Sequence, residues 1–205
     1  MAVLALVRHG ESEWNKLSLW TGWQDIPLTD KGRDEAGQAA EILKDIDFQL
    51  FYSSDLIRSI ETLEIIKKVL NKSALPTVKD AALKERDYGE YTGKNKWQIK
   101  KQAGEEKFLK LRRGWDDPVS GGETLKDVYN RVVPYYKNHI LAGLIKGKNI
   151  LLVAHGNSIR ALMKYLEKIS DKNIPKVEIA TGEAVIYHLD KSGKILKKEK
   201  RGGIK

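Results

Sequence analysis

The chain contains no cysteine among its 205 residues. Without cysteine it can form neither disulfide bonds nor thiolate metal sites, and its composition is compatible with a reducing compartment. No apolar run approaches the roughly 20 residues that cross a bilayer, and the N-terminus has no basic flank, long apolar core or cleavage signal for export. These absences exclude a disulfide-stabilised scaffold, argue against a membrane partner and predict a cytoplasmic location.

The sequence also lacks internal repeats, low-complexity tracts and a clear interdomain linker. Hydrophobic residues make up 41% of the chain and charged residues 32%, as in an ordinary globular protein that can bury a substantial core. We therefore predict a single domain spanning residues 1–205. Within it we expect a loop-rich region at about 83–122 and a basic C-terminal tail at about 190–205.

The formal net charge of +9 is unevenly distributed. From Asp190 onward, seven Lys or Arg residues stand against two acidic ones, a net charge of +5. The chain has no basic face interleaved with aromatic residues, the pattern that single-stranded nucleic acid prefers, so no nucleic-acid partner is predicted. Two interpretations of the tail stay open: a solvated basic segment, or one that draws small anionic metabolites toward a cleft.

Apolar strand patterns alternate with helical patterns along most of the chain. Strands are predicted at residues 3–7, 47–52, 76–78, 149–154 and 184–189, and helices at 33–44, 56–70, 97–113, 123–145 and 158–166. Ser53-Ser54-Asp55 is predicted to cap the second helix, and Pro134 to bend the fourth. This alternation predicts an α/β fold: a three-layer sandwich whose central sheet is largely parallel and has helices on both faces.

The segment Arg8-His9-Gly10-Glu11 follows the first predicted strand directly. The ends of such strands project into the crevice where open α/β sheets usually bind ligands. Arginine is a permanent forked cation suited to phosphate, and histidine can act as a nucleophile near neutral pH. The segment therefore fits a histidine that accepts a phosphoryl group while the arginine holds its oxygens. A surface turn that carries these residues by chance is the alternative.

A second histidine repeats this design. Residues 149–154 form an apolar strand pattern that ends in His155, and glycine and a helical pattern follow. The N-terminus of a helix favours anions through its unpaired amide donors and partial positive charge. Two histidines at equivalent strand ends favour the catalytic interpretation. His139 and His188 have no such context, and we predict ordinary structural roles for both.

Motifs along the chain resemble those of a known family. They include Leu6-Val7-Arg8-His9-Gly10-Glu11-Ser12, Thr21-Gly22-Trp23, Ser53-Ser54-Asp55-Leu56-Ile57-Arg58-Ser59, Glu85-Arg86-Asp87-Tyr88-Gly89, Gly93-Lys94-Asn95-Lys96, Arg112-Arg113 and Ala154-His155-Gly156-Asn157. They are similar to those of cofactor-dependent phosphoglycerate mutases of the compact bacterial type, in the histidine phosphatase superfamily. The resemblance extends to about residue 190. The opening motif specifies only the superfamily, whereas residues 85–113 separate mutases from their phosphatase relatives.

The resemblance implies interconversion of 3-phosphoglycerate and 2-phosphoglycerate in glycolysis and gluconeogenesis, with 2,3-bisphosphoglycerate as phosphoryl primer and no metal. The implied catalytic residues are His9, Glu85, His155, Arg8 and Arg58. His9 would become the phosphohistidine, and Glu85 would donate and accept the proton. The residues implied to bind substrate are Arg8, Ser12, Asn15, Thr21, Gly22, Arg58, Glu85, Tyr88, Lys96, Arg112, Arg113, Gly156 and Asn157.

Elementary chemistry supports these roles. A loose phosphoryl-transfer transition state spreads charge over three oxygens, so catalysis depends mainly on positioning and electrostatic stabilisation, which two guanidinium groups supply without a metal. An imidazole with an unperturbed pKa of about 6.5 is readily unprotonated near neutral pH. One carboxylate can take and return the proton of the substrate hydroxyl. Two structural alternatives stay open: Glu85 as an ion-pair partner of Arg86, and Arg112-Arg113 as a solvated helix end.

The chain departs from the longer mutases at several positions. The segment of residues 116–123 is short, whereas the longer mutases carry an extended insertion at this place. Because that insertion often contributes to subunit contacts, a homodimer and a homotetramer both stay open. Asp87 stands where many members have a second histidine, Lys84 where many have asparagine, and Lys94 where an apolar residue is usual. None of these three replaces a residue with an implied role. We interpret the ending, residues 201–205, as a mobile flap over the site.

Three other functions compete with mutase activity. A histidine phosphatase acting on small phosphorylated metabolites would discharge the same phosphohistidine to water. Lys96, Arg112 and Arg113 argue against it, since a pocket that fixes a carboxylated three-carbon acid should retain the intermediate for retransfer. A phosphate-binding or protein-interaction module without chemistry is disfavoured because every implied catalytic residue is intact. A nucleic-acid binder fits least.

Overall fold

A six-stranded sheet lies at the centre of the protein, whose computed structural model describes residues 1–202. The strands are β1 (Ala2–Arg8), β2 (Leu50–Ser53), β3 (Thr77–Lys79), β4 (Ile150–Ala154), β5 (Ala184–Leu189) and β6 (Ile195–Arg201). Their order across the sheet is β3-β2-β4-β1-β5-β6. The first four in this order run parallel, whereas β5 is antiparallel to β1 and β6 to β5. The prediction of a largely parallel sheet is confirmed.

Helices cover both faces of this sheet. They are α1 (Glu13–Lys16), α2 (Asp30–Glu41), α3 (Ile57–Val69), α4 (Lys96–Ala103), α5 (Glu105–Arg113), α6 (Leu125–Tyr135), α7 (Leu141–Ile145) and α8 (Gly156–Leu166). One face packs against α2 and α3, and the other against α6, α7 and α8. The predicted three-layer α/β sandwich is therefore confirmed. Within residues 1–202, no helix is long and apolar enough to cross a membrane.

The central strands are apolar throughout because both of their faces are buried. In β1, Leu4 and Leu6 pack in the cluster formed with α6 and α8, while Ala5 and Val7 pack in the cluster formed with α2 and α3. Successive side chains of a strand point to opposite faces, so a strand between two helical layers needs an unbroken apolar run. The strand β4 follows the same rule, and β1 and β4 lie side by side in register.

The helix predicted at 97–113 is two helices, so that prediction is wrong. Gly104 separates α4 from α5 and has a φ of 81°, a left-handed conformation that glycine adopts at no steric cost. The two helices pack on a small hydrophobic cluster that includes Trp20, Tyr88 and Phe108. We call α4, α5 and the loops of residues 83–122 the lobe, because this cluster is distinct from the two that flank the sheet.

The helical segment predicted at 123–145 is continuous, but its geometry changes along its length. It begins with a capping box in which Thr124 and Asp127 each accept a hydrogen bond from the other's backbone N–H. Pro134, near the end of α6, has no N–H to donate. The chain then passes through a π-helical turn at Tyr136–Ile140 before α7. The bend predicted at the proline is thus a local change in the spacing of the helical hydrogen bonds.

The segment predicted as a basic tail forms an ordered strand up to Arg201. After a turn at residues 190–193, β6 pairs with β5 at the edge of the sheet. The Arg201 guanidinium donates to the Ile42 carbonyl at 2.8 Å. The flap interpretation is therefore wrong for Arg201, because strand pairing fixes its backbone. Residues 203–205 lie outside the described residues.

Candidate active site

The two strand-end histidines meet at one edge of the sheet. Because β1 and β4 are adjacent, parallel and in register, the His9 N–H donates to the Ala154 carbonyl at 3.0 Å. The rings of His9 and His155 are 4.9 Å apart between centroids, with an interplanar angle of 60°. Both side chains are buried. The sheet itself therefore brings together two residues that are far apart in sequence.

A close contact between two glycines fixes the loop after β1. A Cβ atom on Gly10 would lie 2.1 Å from the Gly32 carbonyl oxygen, and one on Gly32 would lie 2.0 Å from the Glu11 carbonyl oxygen. Such distances exclude any side chain at either position without movement of the backbone. The Gly10 N–H also donates to Thr62 Oγ1 at 3.1 Å. The loop that carries His9 is thus held between α2 and α3.

The hydrogen bonds of His9 define its nucleophilic atom. Its Nδ1 lies 2.6 Å from the Gly10 carbonyl oxygen. A carbonyl can only accept, so we assign the hydrogen to Nδ1, which leaves the lone pair on Nε2. Burial, followed by the charges of Arg58 and Arg8, holds the pKa of His9 well below its usual value near 6.5. The imidazole is therefore neutral at physiological pH and ready to attack.

Ser54 orients the second histidine, a role that the sequence reasoning missed. Its Oγ lies 2.7 Å from His155 Nε2 and accepts a hydrogen bond from Leu56 N–H at 3.3 Å. The two atoms share one hydrogen bond, whose direction depends on the tautomer of the imidazole. Among residues 1–202, the buried His155 Nδ1 forms no hydrogen bond. Ser54 thus fixes the orientation of the His155 ring beside His9.

The position of Ser54 also corrects a prediction. Ser53-Ser54-Asp55 was predicted to cap the helix that follows, but α3 begins at Ile57 and its N-cap residue, Leu56, forms no side-chain cap. Ser54 stands just past the end of β2, the other neighbour of β4 in the sheet. That placement was the available signal, because three adjacent parallel strands end at the same edge.

Two guanidinium groups are held by backbone carbonyls beside His9. Arg8 donates through Nη1 to the Ile179 carbonyl at 2.7 Å, and its buried Nε has no partner among the described residues. Arg58 donates to the carbonyls of Gln24 and Gly22 at 2.8 and 2.9 Å. Burial lowers the pKa of Arg58 to about 10, so it keeps its charge near neutrality. Because neutral carbonyls rather than carboxylates hold these two guanidinium groups, their positive charges form a site for an anion.

The two carboxylate oxygens of Glu85 have different surroundings: Oε1 accepts hydrogen bonds from the backbone, and Oε2 faces the space beside Gly156. Its Oε1 accepts from the backbone N–H groups of Arg86 and Asn157, at 2.7 and 3.1 Å. The Arg86 guanidinium instead donates to the carbonyls of Glu123, Leu111 and Asp117. The alternative of a Glu85–Arg86 ion pair is therefore wrong.

Gly156 leaves the space between Glu85 and Arg8 open. A Cβ atom at this position would lie 3.7 Å from Glu85 Oε2 and 3.8 Å from Arg8 Nε. Glycine at the first position of α8 thus keeps the carboxylate and the guanidinium accessible from the same point. A substrate oxygen in this space would lie within reach of both groups.

Most of the predicted site residues line one cavity. They are Arg8, His9, Asn15, Thr21, Gly22, Arg58, Glu85, Tyr88, Lys96, Arg112, Arg113, Gly156 and Asn157. Ser12 does not line it. Ser12 is fully buried and forms a capping box with Asn15 at the start of α1, so it positions a cavity residue. His155 packs against His9 without lining the cavity wall itself.

The lobe supplies a second group of cations to the cavity. Lys96 is the first residue of α4, after the N-cap Asn95. Burial, with the nearby charges of Arg112 and Arg8, lowers the pKa of Lys96 to about 8. Arg112 and Arg113, at the end of α5, both line the cavity, so the alternative of a solvated helix end is wrong.

Four further residues line the cavity and were not predicted as site residues: Trp20, Arg160, Glu178 and Ile179. Arg160 lies on α8, three residues after Asn157, and donates to its Oδ1 at 2.7 Å. Residues three apart on a helix share a face, so helical spacing could have identified Arg160. Glu178 and Ile179 lie in an irregular segment before β5, where no periodic pattern marks them.

The remaining two histidines lie outside this cavity. The His139 ring stacks on Tyr135 at 4.7 Å between centroids, and His188 Nε2 lies 2.9 Å from Glu199 Oε1. These contacts support the structural roles predicted for both. In the part of the chain that the structure describes, no three His, Cys, Asp or Glu residues are grouped so as to hold a metal ion.

Fold and site together define a class of protein. The chain belongs to the histidine phosphatase superfamily (branch 1), whose family model matches residues 4–200. It is 46% identical over 198 residues to a 2,3-bisphosphoglycerate-dependent phosphoglycerate mutase of Bradyrhizobium diazoefficiens, with 96% of each chain covered. An enzyme of the same name from Parvibaculum lavamentivorans is 42% identical over 199 residues, covering 96% of this chain and 95% of that one.

A solved structure with a different reaction shares the fold. The native structure of a mycobacterial glucosyl-3-phosphoglycerate phosphatase superimposes with a TM-score of 0.81 at 26% identity, covering 97% of this chain and 96% of that one. The chain thus resembles enzymes named as mutases in sequence and a phosphatase in architecture, and the reaction must be argued from the site.

Proposed function

We propose that the protein interconverts 3-phosphoglycerate and 2-phosphoglycerate through a phosphohistidine at His9, as an enzyme of glycolysis and gluconeogenesis. The observation that carries this proposal is that one cavity contains a nucleophile with a free Nε2 and a second group of cations from the lobe. The 42% and 46% identity to enzymes named as mutases supports it. The proposal includes a cytoplasmic location, where these metabolites occur, and a homodimeric or homotetrameric state that sedimentation would distinguish.

His9 performs the phosphoryl transfer. Its Nε2 attacks phosphorus, and the N–P bond forms as the bond to the ester oxygen breaks. Arg8 and Arg58 stabilise the charge on the three other oxygens, since carbonyl contacts already hold both guanidinium groups in place. His155 packs against the His9 ring and is itself held by Ser54, so it helps to fix the position of the nucleophile.

Glu85 moves the proton. The departing substrate oxygen takes a proton from the carboxyl group, and the hydroxyl that next attacks phosphohistidine returns one to it. Oε1 is held by two backbone N–H groups, so Oε2, which faces the gap at Gly156, is the atom that exchanges the proton. One group can serve both directions because forward and reverse transfers use the same site.

The lobe cations hold the carboxylate of the substrate and its other anionic group. Lys96, Arg112 and Arg113 can fix a three-carbon acid while either hydroxyl faces His9. This retention favours return of the phosphoryl group to substrate over its loss to water. Six Lys or Arg side chains line the cavity, which fits a ligand with two phosphates and a carboxylate. When bound, 2,3-bisphosphoglycerate supplies the phosphoryl group that first charges His9.

The direct test is formation of 2-phosphoglycerate from 3-phosphoglycerate and a trace of 2,3-bisphosphoglycerate, without added metal. We expect turnover by the wild type, none by His9→Ala, and normal turnover by His139→Ala, which removes a histidine outside the cavity. Absence of 2-phosphoglycerate with the wild type, or undiminished turnover by His9→Ala, would contradict the proposal.

A phosphatase is the second candidate, favoured by the superposition on a mycobacterial phosphatase. It would use the same phosphohistidine, with water in place of the substrate hydroxyl. The ratio of inorganic phosphate released to 2-phosphoglycerate formed separates the two functions. We expect a ratio far below one because the lobe cations retain the acid, and a ratio above one would assign hydrolysis as the main reaction.

A further inference from the structure

Glu178 is a carboxylate at the wall of an anion-binding cavity, and the reaction proposed above gives it no part. It lies in the irregular segment before β5, and its side chain is 68% exposed. Of the charged residues that line the cavity, six are cations and only Glu85 and Glu178 are anions. Glu85 exchanges the proton, so Glu178 needs a separate explanation.

The segment of residues 177–179 holds two of the cavity cations. Arg113 donates through Nη2 to Glu178 Oε1 and through Nη1 to the Val177 carbonyl at 3.2 Å. The next residue, Ile179, accepts from Arg8 at 2.7 Å. Backbone carbonyls therefore position the guanidinium groups of Arg8 and Arg113. Of these two groups, Arg113 is the one that also forms an ion pair with Glu178.

The negative charge of Glu178 also acts on two cations other than Arg113. Burial lowers the pKa of Arg8 and of Arg112, and the Glu178 carboxylate opposes that shift at both guanidinium groups. An opposite charge that stabilises these cations also reduces the positive potential that an incoming anion meets. Glu178 thus acts against ligand binding in proportion to the charge of the ligand.

We propose that Glu178 is an internal counter-anion that pairs with Arg113 and competes for it with an anionic group of the ligand. In this role it determines specificity: it weakens binding of every anion, most strongly of the most highly charged. Displacement is feasible because Glu178, the exposed member of the pair, regains contact with water when it leaves Arg113. The inference rests on the proposed function only for the identity of the ligand.

A carboxylate-to-amide change isolates the charge. Glu178→Gln keeps an oxygen that can accept from Arg113 but removes the negative charge, whereas Glu178→Ala removes both. If Glu178 serves only to position Arg113, the amide should bind ligands as the wild type does and alanine should bind them more weakly. If it competes with ligands, both variants should bind anions more tightly.

The experiment is calorimetric titration of wild type, Glu178→Gln and Glu178→Ala with 3-phosphoglycerate, 2,3-bisphosphoglycerate and inorganic pyrophosphate. For Glu178→Gln we expect a Kd about 2- to 4-fold lower for 3-phosphoglycerate and about 5- to 10-fold lower for the more highly charged bisphosphoglycerate, both gains shrinking as salt screens the charges. Glu41→Gln is the matched control: it removes one exposed carboxylate paired with Lys44 on α2, outside the cavity, and should leave each Kd within about 2-fold of wild type.

Equal or weaker anion binding by Glu178→Gln, in a variant that unfolds at the wild-type temperature, overturns the inference. Pyrophosphate separates this outcome from failure of the proposed function. If wild type forms no 2-phosphoglycerate but Glu178→Gln binds pyrophosphate more tightly, the proposed function fails and the inference stands. If turnover is normal and all affinities are unchanged, the inference fails and the proposed function stands.

Discussion

The two ends of the cavity are built by different means. At the phosphoryl end, His9, His155 and Arg58 are buried and stand at strand ends or on α3, within the three-layer sandwich. At the lobe end, Lys96 and Arg112 are half-buried and belong to short helices beside the sheet. Stabilisation of a transition state needs dipoles and charges that are already in place, whereas selection of a substrate needs only charges of the right sign within reach. The comparison teaches that chemistry and selectivity are separable here.

The largest loss of turnover without a loss of substrate binding is expected from Glu85→Gln. The amide keeps the acceptor for the two backbone N–H groups but cannot exchange a proton, so kcat should fall by about 10²–10⁴-fold with little change in KM. Steady-state kinetics checks this, with Glu90→Gln, an exposed carboxylate of the lobe outside the cavity, as the matched control. Normal kcat in Glu85→Gln would show that another group carries the proton.

Gly32→Ala should damage the phosphoryl end without touching any reacting group. Its methyl group would lie 2.0 Å from the Glu11 carbonyl oxygen, so the loop that carries His9 must shift. Misplacement of a nucleophile by about 1 Å costs about 10²-fold in rate, and we expect a loss of that order in kcat. Gly37→Ala, on the same helix with no atom within 4 Å of the new Cβ, should keep full activity. Equal kinetics in both variants would show that the glycine contact does not position His9.

Arg112→Gln should alter the lobe end alone. This guanidinium packs over Phe108, and the nearby Glu178 carboxylate pairs with Arg113 instead, so the charge of Arg112 is available to substrate. We expect KM for 3-phosphoglycerate to rise about 10-fold and the ratio of phosphate released to 2-phosphoglycerate formed to rise with it. Lys110→Gln, on the exposed side of α5, should change neither quantity. A fall in kcat at constant KM and constant ratio would instead place Arg112 in the chemical step.

The smallest effect concerns pH and stability. Burial lowers the pKa of His9 and of His155 in the native state well below the value near 6.5 of the unfolded chain. Below pH 6.5 these two histidines therefore bind more protons in the unfolded chain than in the native state, so their contribution to the free energy of unfolding falls as the pH falls. His9→Gln should lose about 1–2 kcal/mol less than wild type between pH 7 and pH 5. Urea unfolding at the two pH values measures this, and parallel losses in both proteins would contradict it.

The sheet core and the phosphoryl end could be predicted from local patterns. An apolar run followed by His-Gly marks a strand end, and the sequence shows it at His9 and at His155. Thr29 and Thr124 cap α2 and α6 through their hydroxyl groups, which is a local interaction and so visible in sequence. The same reasoning predicted helices on both faces, because strands that are apolar throughout must be covered twice.

The errors fall where long-range contacts decide. Gly104 interrupts the predicted helix, and the two helices that it separates then pack on Trp20, which comes from an earlier part of the chain. The basic C-terminal segment becomes β6 because β5 offers an unpaired edge. Glu178 has no pattern of its own, since it acquires its role from Arg113, a partner 65 residues away. Ser54 stands at a strand end, but its contact with His155 joins residues 101 apart in the chain.

By itself, the amino-acid sequence determined the alternation of strands and helices, the two histidines at strand ends and the absence of cysteine chemistry, because each depends on residue type and near neighbours. Only the tertiary structure decided that His9 and His155 face each other, which nitrogen of His9 carries the hydrogen, and that Glu178 is placed against Arg113. The physical reason is that hydrogen bonding, burial and Coulomb interaction depend on distances in space, which local sequence patterns do not contain.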